Sequence, residues 1–205
     1  KALLKELDEF IISEKPSESF IHIALSNINY NYYSRKELYL SSKKVVSSHK
    51  QILYPENFFT YRDSIQLNDN TLKNYYTYYQ FINRYLDNLA DDGHKKEETF
   101  FNKTSYEHQT QKLRLIDSLI TNKQLHDNLL YNTVKRYLIH ADDSKKEHDL
   151  VALFKKLDHN ELHQKEVERY AHNTAKINAG ELIPNLALIT GNNKIISLQK
   201  IHASK

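Results

Sequence analysis

Cysteine is absent from this 205-residue chain, and glycine and proline occur only three times each. The first absence excludes disulfides, thiolate metal sites and a cysteine nucleophile within this stretch. The scarcity of glycine leaves little material for a phosphate-cradling loop, and no P-loop, dinucleotide fingerprint or nucleophile elbow occurs. No apolar run approaches the roughly 20 residues that a membrane helix needs. Charge of one sign is lacking too. The 29 Lys and Arg stand against 26 Asp and Glu, a formal balance of +3, so no large field favours nucleic acid or anionic lipid. The chain begins at Lys1 without a signal-like segment and reads as an interior or processed piece of something longer.

What is present is a chain with 40% hydrophobic and 27% charged residues, the balance of a folded globular protein. Through the first 178 positions apolar residues recur at helical spacing. Leu3, Leu4, Leu7, Phe10 and Ile11 form one stripe. After Pro16 and Ser17, which suit a helix start, Ile21, Leu25, Ile28 and Tyr32 form the next. Pro55 opens a short helix carrying Phe58, Phe59 and Ile65. Asp69 or Asn70 caps a helix with Tyr75, Tyr79, Ile82, Leu86 and Leu89 on its core face and Gly93 as its left-handed C-terminal cap. Residues 94–103 are charged and read as a loop. Further stripes are Leu113, Ile116 and Ile120; Leu125, Leu129, Val134 and Leu138; and, from about Ser144, Leu150, Leu153, Phe154 and Leu157. A last helix is expected over about 161–176. The pattern predicts a mainly α, irregular domain of about seven helices over residues 1–178, without a named helical repeat.

From 179 to 205 the period changes from about 3.6 to 2. Leu186, Leu188 and Thr190 alternate, Gly191-Asn192-Asn193 offers residues that accept positive φ, and 194–198 alternate again, which predicts a short C-terminal β-hairpin. Gly180 and Pro184 precede it, so two of the three glycines fall in this tail.

The tail resembles the entry to a thioredoxin-fold domain of TlpA-like and AhpC-like thiol-disulfide oxidoreductases. Gly180 and Pro184 match the opening pair, Leu186 to Ile189 the first strand, Gly191-Asn192-Asn193-Lys194 the turn, and Ser197-Leu198 the closing dipeptide. The helical part resembles the segment that precedes that domain in such proteins from Bacteroidetes-type bacteria, through LKELDEFI (4–11), NINYNYYSR (27–35) and LIDSLITN (115–122). The resemblance implies that residues 179–205 are the truncated start of a thioredoxin-like domain in a periplasmic or cell-envelope lipoprotein. It also implies that the family's Cys-x-x-Cys, activated at a helix N-terminus, lies outside this chain. The helical portion would then be non-catalytic, positioning the redox domain or contacting its protein substrate. The alternative is an autonomous helical protein- or peptide-binding module with no redox role.

Other constellations carry blander readings. His159, His163 and Glu166 share helical spacing but lack the zinc-protease order, and a solvated helix face accounts for them. Asp142, Asp143, Glu147 and His148 read as a capping turn ahead of Ser144. The tyrosines at 30–33 and 75–79, interleaved with Arg and Lys, could stack bases, yet Tyr32, Tyr75 and Tyr79 fall on the expected core stripes. Tyr33, Arg35, Tyr76 and Arg84 depart from those stripes and are the candidates for a partner-facing groove. No catalytic residue, cofactor or metal is expected within the chain, a protein partner is, and nucleic acid is not.

Overall fold

In the computed structural model, residues 2–46, 53–92, 102–141, 143–174 and 187–197 are described below. Gly93, Asp142, Gly180, Pro184, Leu186 and Leu198, and most of the charged stretch 94–103, lie outside them. The described residues form seven α-helices and a two-stranded sheet: α1 (Ala2–Glu14), α2 (Glu18–Val46), α3 (Tyr76–Asp92), α4 (Tyr106–Leu119), α5 (Lys123–His140), α6 (Ser144–Leu157), α7 (Glu161–Thr174), β1 (Ala187–Ile189) and β2 (Ile195–Ser197). A 3₁₀ helix, Thr60–Ser64, lies between α2 and α3. No helix is long and apolar enough among these residues to cross a membrane. The chain divides into two compact units, Lys1–Thr174 and Ala175–Lys205.

With so little glycine, the helices end by another device. α4, α5 and α6 each stop at a residue with extended backbone, Ile120, Ala141 and Asp158, whose N–H still closes the last turn. All three are buried. Two positions later stands a polar cap for the next helix. Asn122 Oδ1 accepts from Leu125 N at 3.1 Å, Asp143 Oδ1 from Lys145 N and Lys146 N at 2.9 and 3.1 Å, and Asn160 Oδ1 from Leu162 N at 3.0 Å. The same three-residue link thus joins four consecutive helices, satisfying exposed N–H donors while anchoring each corner in the core. α1 ends instead at Lys15, a non-glycine residue at φ 47°, followed by Pro16.

α4, α5 and α6 bury the residues their periodicity indicates. Leu113, Ile116, Leu129, Val134, Leu150 and Phe154 are fully enclosed. α3 packs on both α2 and α4, and α5 on α4, α6 and α7. Enclosed on several sides, α3 buries Tyr78, Phe81, Ile82, Leu86 and Ala90 together with Asp87 and Asn88.

Three expectations are corrected here. The core face of α2 is not the one carrying Tyr32, which is 59% exposed; Tyr30, Ser34, Glu37, Leu40 and Ser41 face inward instead. The polar members of that face made it invisible to a count of apolar residues. α3 begins at Tyr76 rather than after Asp69. Asp69 Oδ1 accepts from Thr71 N at 2.7 Å within a turn, Leu72 plugs the core, and Tyr75 stays partly exposed. The segment after Pro55 buries Tyr61 rather than Phe59, in a 3₁₀ turn instead of an α-helix.

The second unit holds an antiparallel pair with register Ala187↔Ser197, Leu188↔Ile196 and Ile189↔Ile195. Its turn is closed by Asn193 N to Thr190 O and Thr190 N to Lys194 O, both 2.9 Å. The left-handed backbone falls on Asn193, φ 56°, a residue type that tolerates it.

Candidate functional site

Two polar networks run along two adjoining sides of α3, set there by the neighbours Asp87 and Asn88, about 100° apart on the helix. On the α2 side, buried Glu37 accepts from Tyr61 Oη at 2.5 Å, Arg62 Nε and Nη2 at 3.0 and 2.8 Å, and Asn88 Nδ2 at 2.6 Å. Ser41 Oγ adds a bond to Asn88 Oδ1 at 3.1 Å. Burial and the adjoining Glu37 carboxylate both push the Tyr61 hydroxyl well above the ordinary tyrosine range. Burial alone would lower the Arg62 guanidinium, but its paired bonds to Glu37 outweigh that and hold it firmly charged.

On the α4 side, Asp87 meets the fully buried Lys112 at 2.5 Å and Lys103 at 3.7 Å, with His108 Nε2 at 3.6 Å. Burial would raise the Asp87 carboxyl. The Lys112 ammonium, helped by His108 and Lys103, outweighs burial and holds it well below the usual carboxylate range. Lys112 also donates to Asn83 Oδ1 at 2.7 Å.

Between α3 and α5 lies a cleft of about 580 Å³. α3 contributes Tyr76, Gln80, Arg84 and Asp87, α5 contributes Lys135, Arg136 and Ile139, and Lys103 joins them. Four cations therefore converge on a cleft whose one lining carboxylate, Asp87, already serves Lys112 and Lys103. Lys103 registers the crowding. Burial lowers its ammonium first, Asp87 opposes this, and Arg136 and Arg84 lower it further by repulsion. Arg84 is held in place by Nη1 bonds to Ser34 O and Oγ at 3.2 and 2.8 Å. Lys135 pairs with Glu166 at 3.6 Å and donates to Tyr131 Oη at 2.9 Å.

A second depression, of about 600 Å³, lies between α2 and the 3₁₀ segment. Its aromatic walls are occupied by the protein's own cation. Lys36 Nζ sits 4.4 Å from the Tyr61 ring centroid and 4.6 Å from that of Phe58.

The four candidate groove residues thus separate. Tyr76 and Arg84 share the α3–α5 cleft. Tyr33 lines the aromatic depression and stacks on Tyr61 at 5.0 Å, and exposed Arg35 lines neither. Lys103, Arg136 and Ile139 escaped the reading of the sequence, because only the fold brings α5 and the segment before α4 against α3. Arg84 and Arg136 carried no motif to pair them.

The histidine constellation also separates. His163 Nδ1 faces Asp158 Oδ2 at 3.2 Å and its ring stacks on Tyr131 at 4.7 Å, so it is a packed residue rather than part of a solvated face. Glu166 turns to Lys135, and His159 is exposed between α6 and α7. Asp143 caps α6, while neighbouring Glu147 is buried and His148 exposed. Among the described residues no group of three or more His, Asp or Glu side chains is placed to hold a metal ion. Among the described residues the buried tyrosines are Tyr30, Tyr61, Tyr78 and Tyr137. Tyr30 and Tyr78 pack edge-on at 4.9 Å and both donate to Gln66 O, which ties the turn before α3 to the core.

No family model matches this chain, and neither a curated protein nor a solved structure does.

Proposed function

We propose that this chain is the non-catalytic helical portion of a cell-envelope thiol-disulfide oxidoreductase together with the first hairpin of its thioredoxin-like domain. The helical unit positions that domain or contacts its protein substrate, and the thiol chemistry belongs to residues outside the chain, which has no cysteine. The observation that carries the reading is the hairpin. It is a unit of different architecture from the helices, and Ile189 and Ile195 are each 75% exposed on strands too few to be stable alone. Such a pair calls for further strands, and the Gly180/Pro184 and Ser197-Leu198 spacing matches the thioredoxin-fold entry.

The test is the gene beyond the Lys205 codon. The reading expects a core strand followed by Cys-x-x-Cys; a stop codon there overturns it. In insulin reduction the chain alone is expected to show no turnover above background, and measurable turnover would contradict the assignment of the chemistry elsewhere.

The α3–α5 cleft favours a second reading, an autonomous helical module that binds a protein or peptide. That reading expects the stop codon and a partner whose binding needs the cleft.

A further inference from the structure

The α3–α5 cleft has a charge balance that the fold does not explain. Among the described residues, no carboxylate lies within ion-pair distance of Arg84 or Arg136. Elsewhere in the same unit the cations that reach inward are matched: Arg62 by Glu37 and Lys112 by Asp87. Arg84 is half-buried and fixed by Ser34, so its position is built rather than accidental. Planar guanidinium forks suit carboxylates, which they engage through paired hydrogen bonds.

The rim points to the kind of ligand. Tyr76 is 72% exposed and Ile139 55% exposed, one on each wall, so the cleft offers apolar surface at its edges and charge between them. An enclosed pocket would bury most of a small molecule. This cleft is open to solvent and suits a chain that lays one face into it.

We propose that the cleft binds an acidic peptide segment, with Arg84 and Arg136 each receiving a carboxylate while Tyr76 and Ile139 cover the apolar side chains between them. The inference rests on the reading of the helical unit as one that contacts a protein partner, and it names the chemistry of that contact.

The test is fluorescence anisotropy of the 205-residue chain with a fluorescein-labelled peptide of alternating glutamate and leucine. The matching lysine–leucine peptide is the control. The acidic peptide is expected to bind saturably, more weakly as salt rises, and the basic one not at all. R136Q is expected to weaken binding by roughly tenfold or more. Arg136 is exposed and supports no internal bond among the described residues, so the variant keeps its fold, which its thermal melt verifies. I139E places a like charge at the rim and is expected to abolish binding. K5Q removes the same charge from α1, which does not line the cleft, and is expected to bind as the parent does.

Absence of saturable binding at low salt overturns the proposal, as do equal losses in R136Q and K5Q. Binding of citrate or inorganic phosphate that needs Arg136, without binding of the peptide, overturns it in favour of a small-anion site. A missing Cys-x-x-Cys downstream removes the redox reading and leaves this one standing. Failure of the peptide to bind leaves the redox reading untouched.

Discussion

The two halves of the helical unit are held together by different chemistry. Where α4, α5 and α6 meet, the contact is aliphatic and aromatic: Leu113, Ile116, Leu129, Val134, Leu150 and Phe154 are fully enclosed. Where α3 meets α2 and α4, charge takes a large share, through Glu37 with Tyr61, Arg62 and Asn88, and Asp87 with Lys112. The first kind of contact tolerates some sliding, since apolar burial has no direction. The second has one register, because a carboxylate buried away from its partners is costly. Two positioned networks flanking α3 fix that helix against its neighbours, and α3 is also the helix that supplies Tyr76 and Arg84 to the cleft.

The comparison can be broken at its most expensive point first. D87A leaves the Lys112 ammonium buried without its partner and is expected to lower unfolding stability by about 3–5 kcal/mol in urea titration. A loss below 1 kcal/mol would mean that the ion pair does not hold α3 to α4. The same carboxyl gives a pH signature. Its folded-state pKa lies below the unfolded value, so its contribution is complete above the ordinary aspartate range, near pH 4, and is lost as pH falls through the folded value. The parent is therefore expected to lose stability more steeply below about pH 4 than D87N does. Parallel curves would contradict this.

L129A tests the apolar half. It empties a fully enclosed site and is expected to destabilise by about 2–5 kcal/mol, with no dependence on pH between 4 and 7 beyond that of the parent. Y61F is a smaller change on the polar side. It removes the hydroxyl that donates to Glu37 but keeps the ring against Tyr33, and about 1.5–3 kcal/mol is expected because the acceptor is charged. The smallest expected effect concerns a corner of the apolar half, between α5 and α6. D143A removes the side-chain acceptor from two backbone donors of α6 and is expected to cost about 1 kcal/mol in the same titration.

The same contrast explains what could be read from the amino acids. The stripes of α4 to α6 were legible because one face of each is apolar and the opposite face is not, and the cap at Asp143 follows from its side chain's reach to nearby N–H groups. The inward face of α2 was not legible. Ser34, Glu37 and Ser41 look like solvent-facing residues until Arg62, Asn88 and Arg84 arrive from more than 20 positions away. Tyr32 attracted the prediction that belonged to Tyr30, since both are aromatic and only the neighbouring elements decide which ring is covered. Of the cleft, Tyr76 and Arg84 could be singled out by departing from their helix's apolar stripe. Arg136 and Ile139 could not, because nothing local distinguishes them from other exposed residues of α5.

By themselves the amino acids determined the helical character of α1 to α7, the cap ahead of α6, and the change to a hairpin around a turn that Asn193 closes. These are short-range matters, settled by side-chain spacing and by hydrogen bonds reaching two or three residues. The tertiary structure alone decided which polar residues of α2 and α3 are buried, that Lys112 ends beside Asp87, and that Arg84 and Arg136 face one cleft. A charge is stable in an interior only when a partner distant in sequence is brought to it, and that meeting exists only in the packed fold.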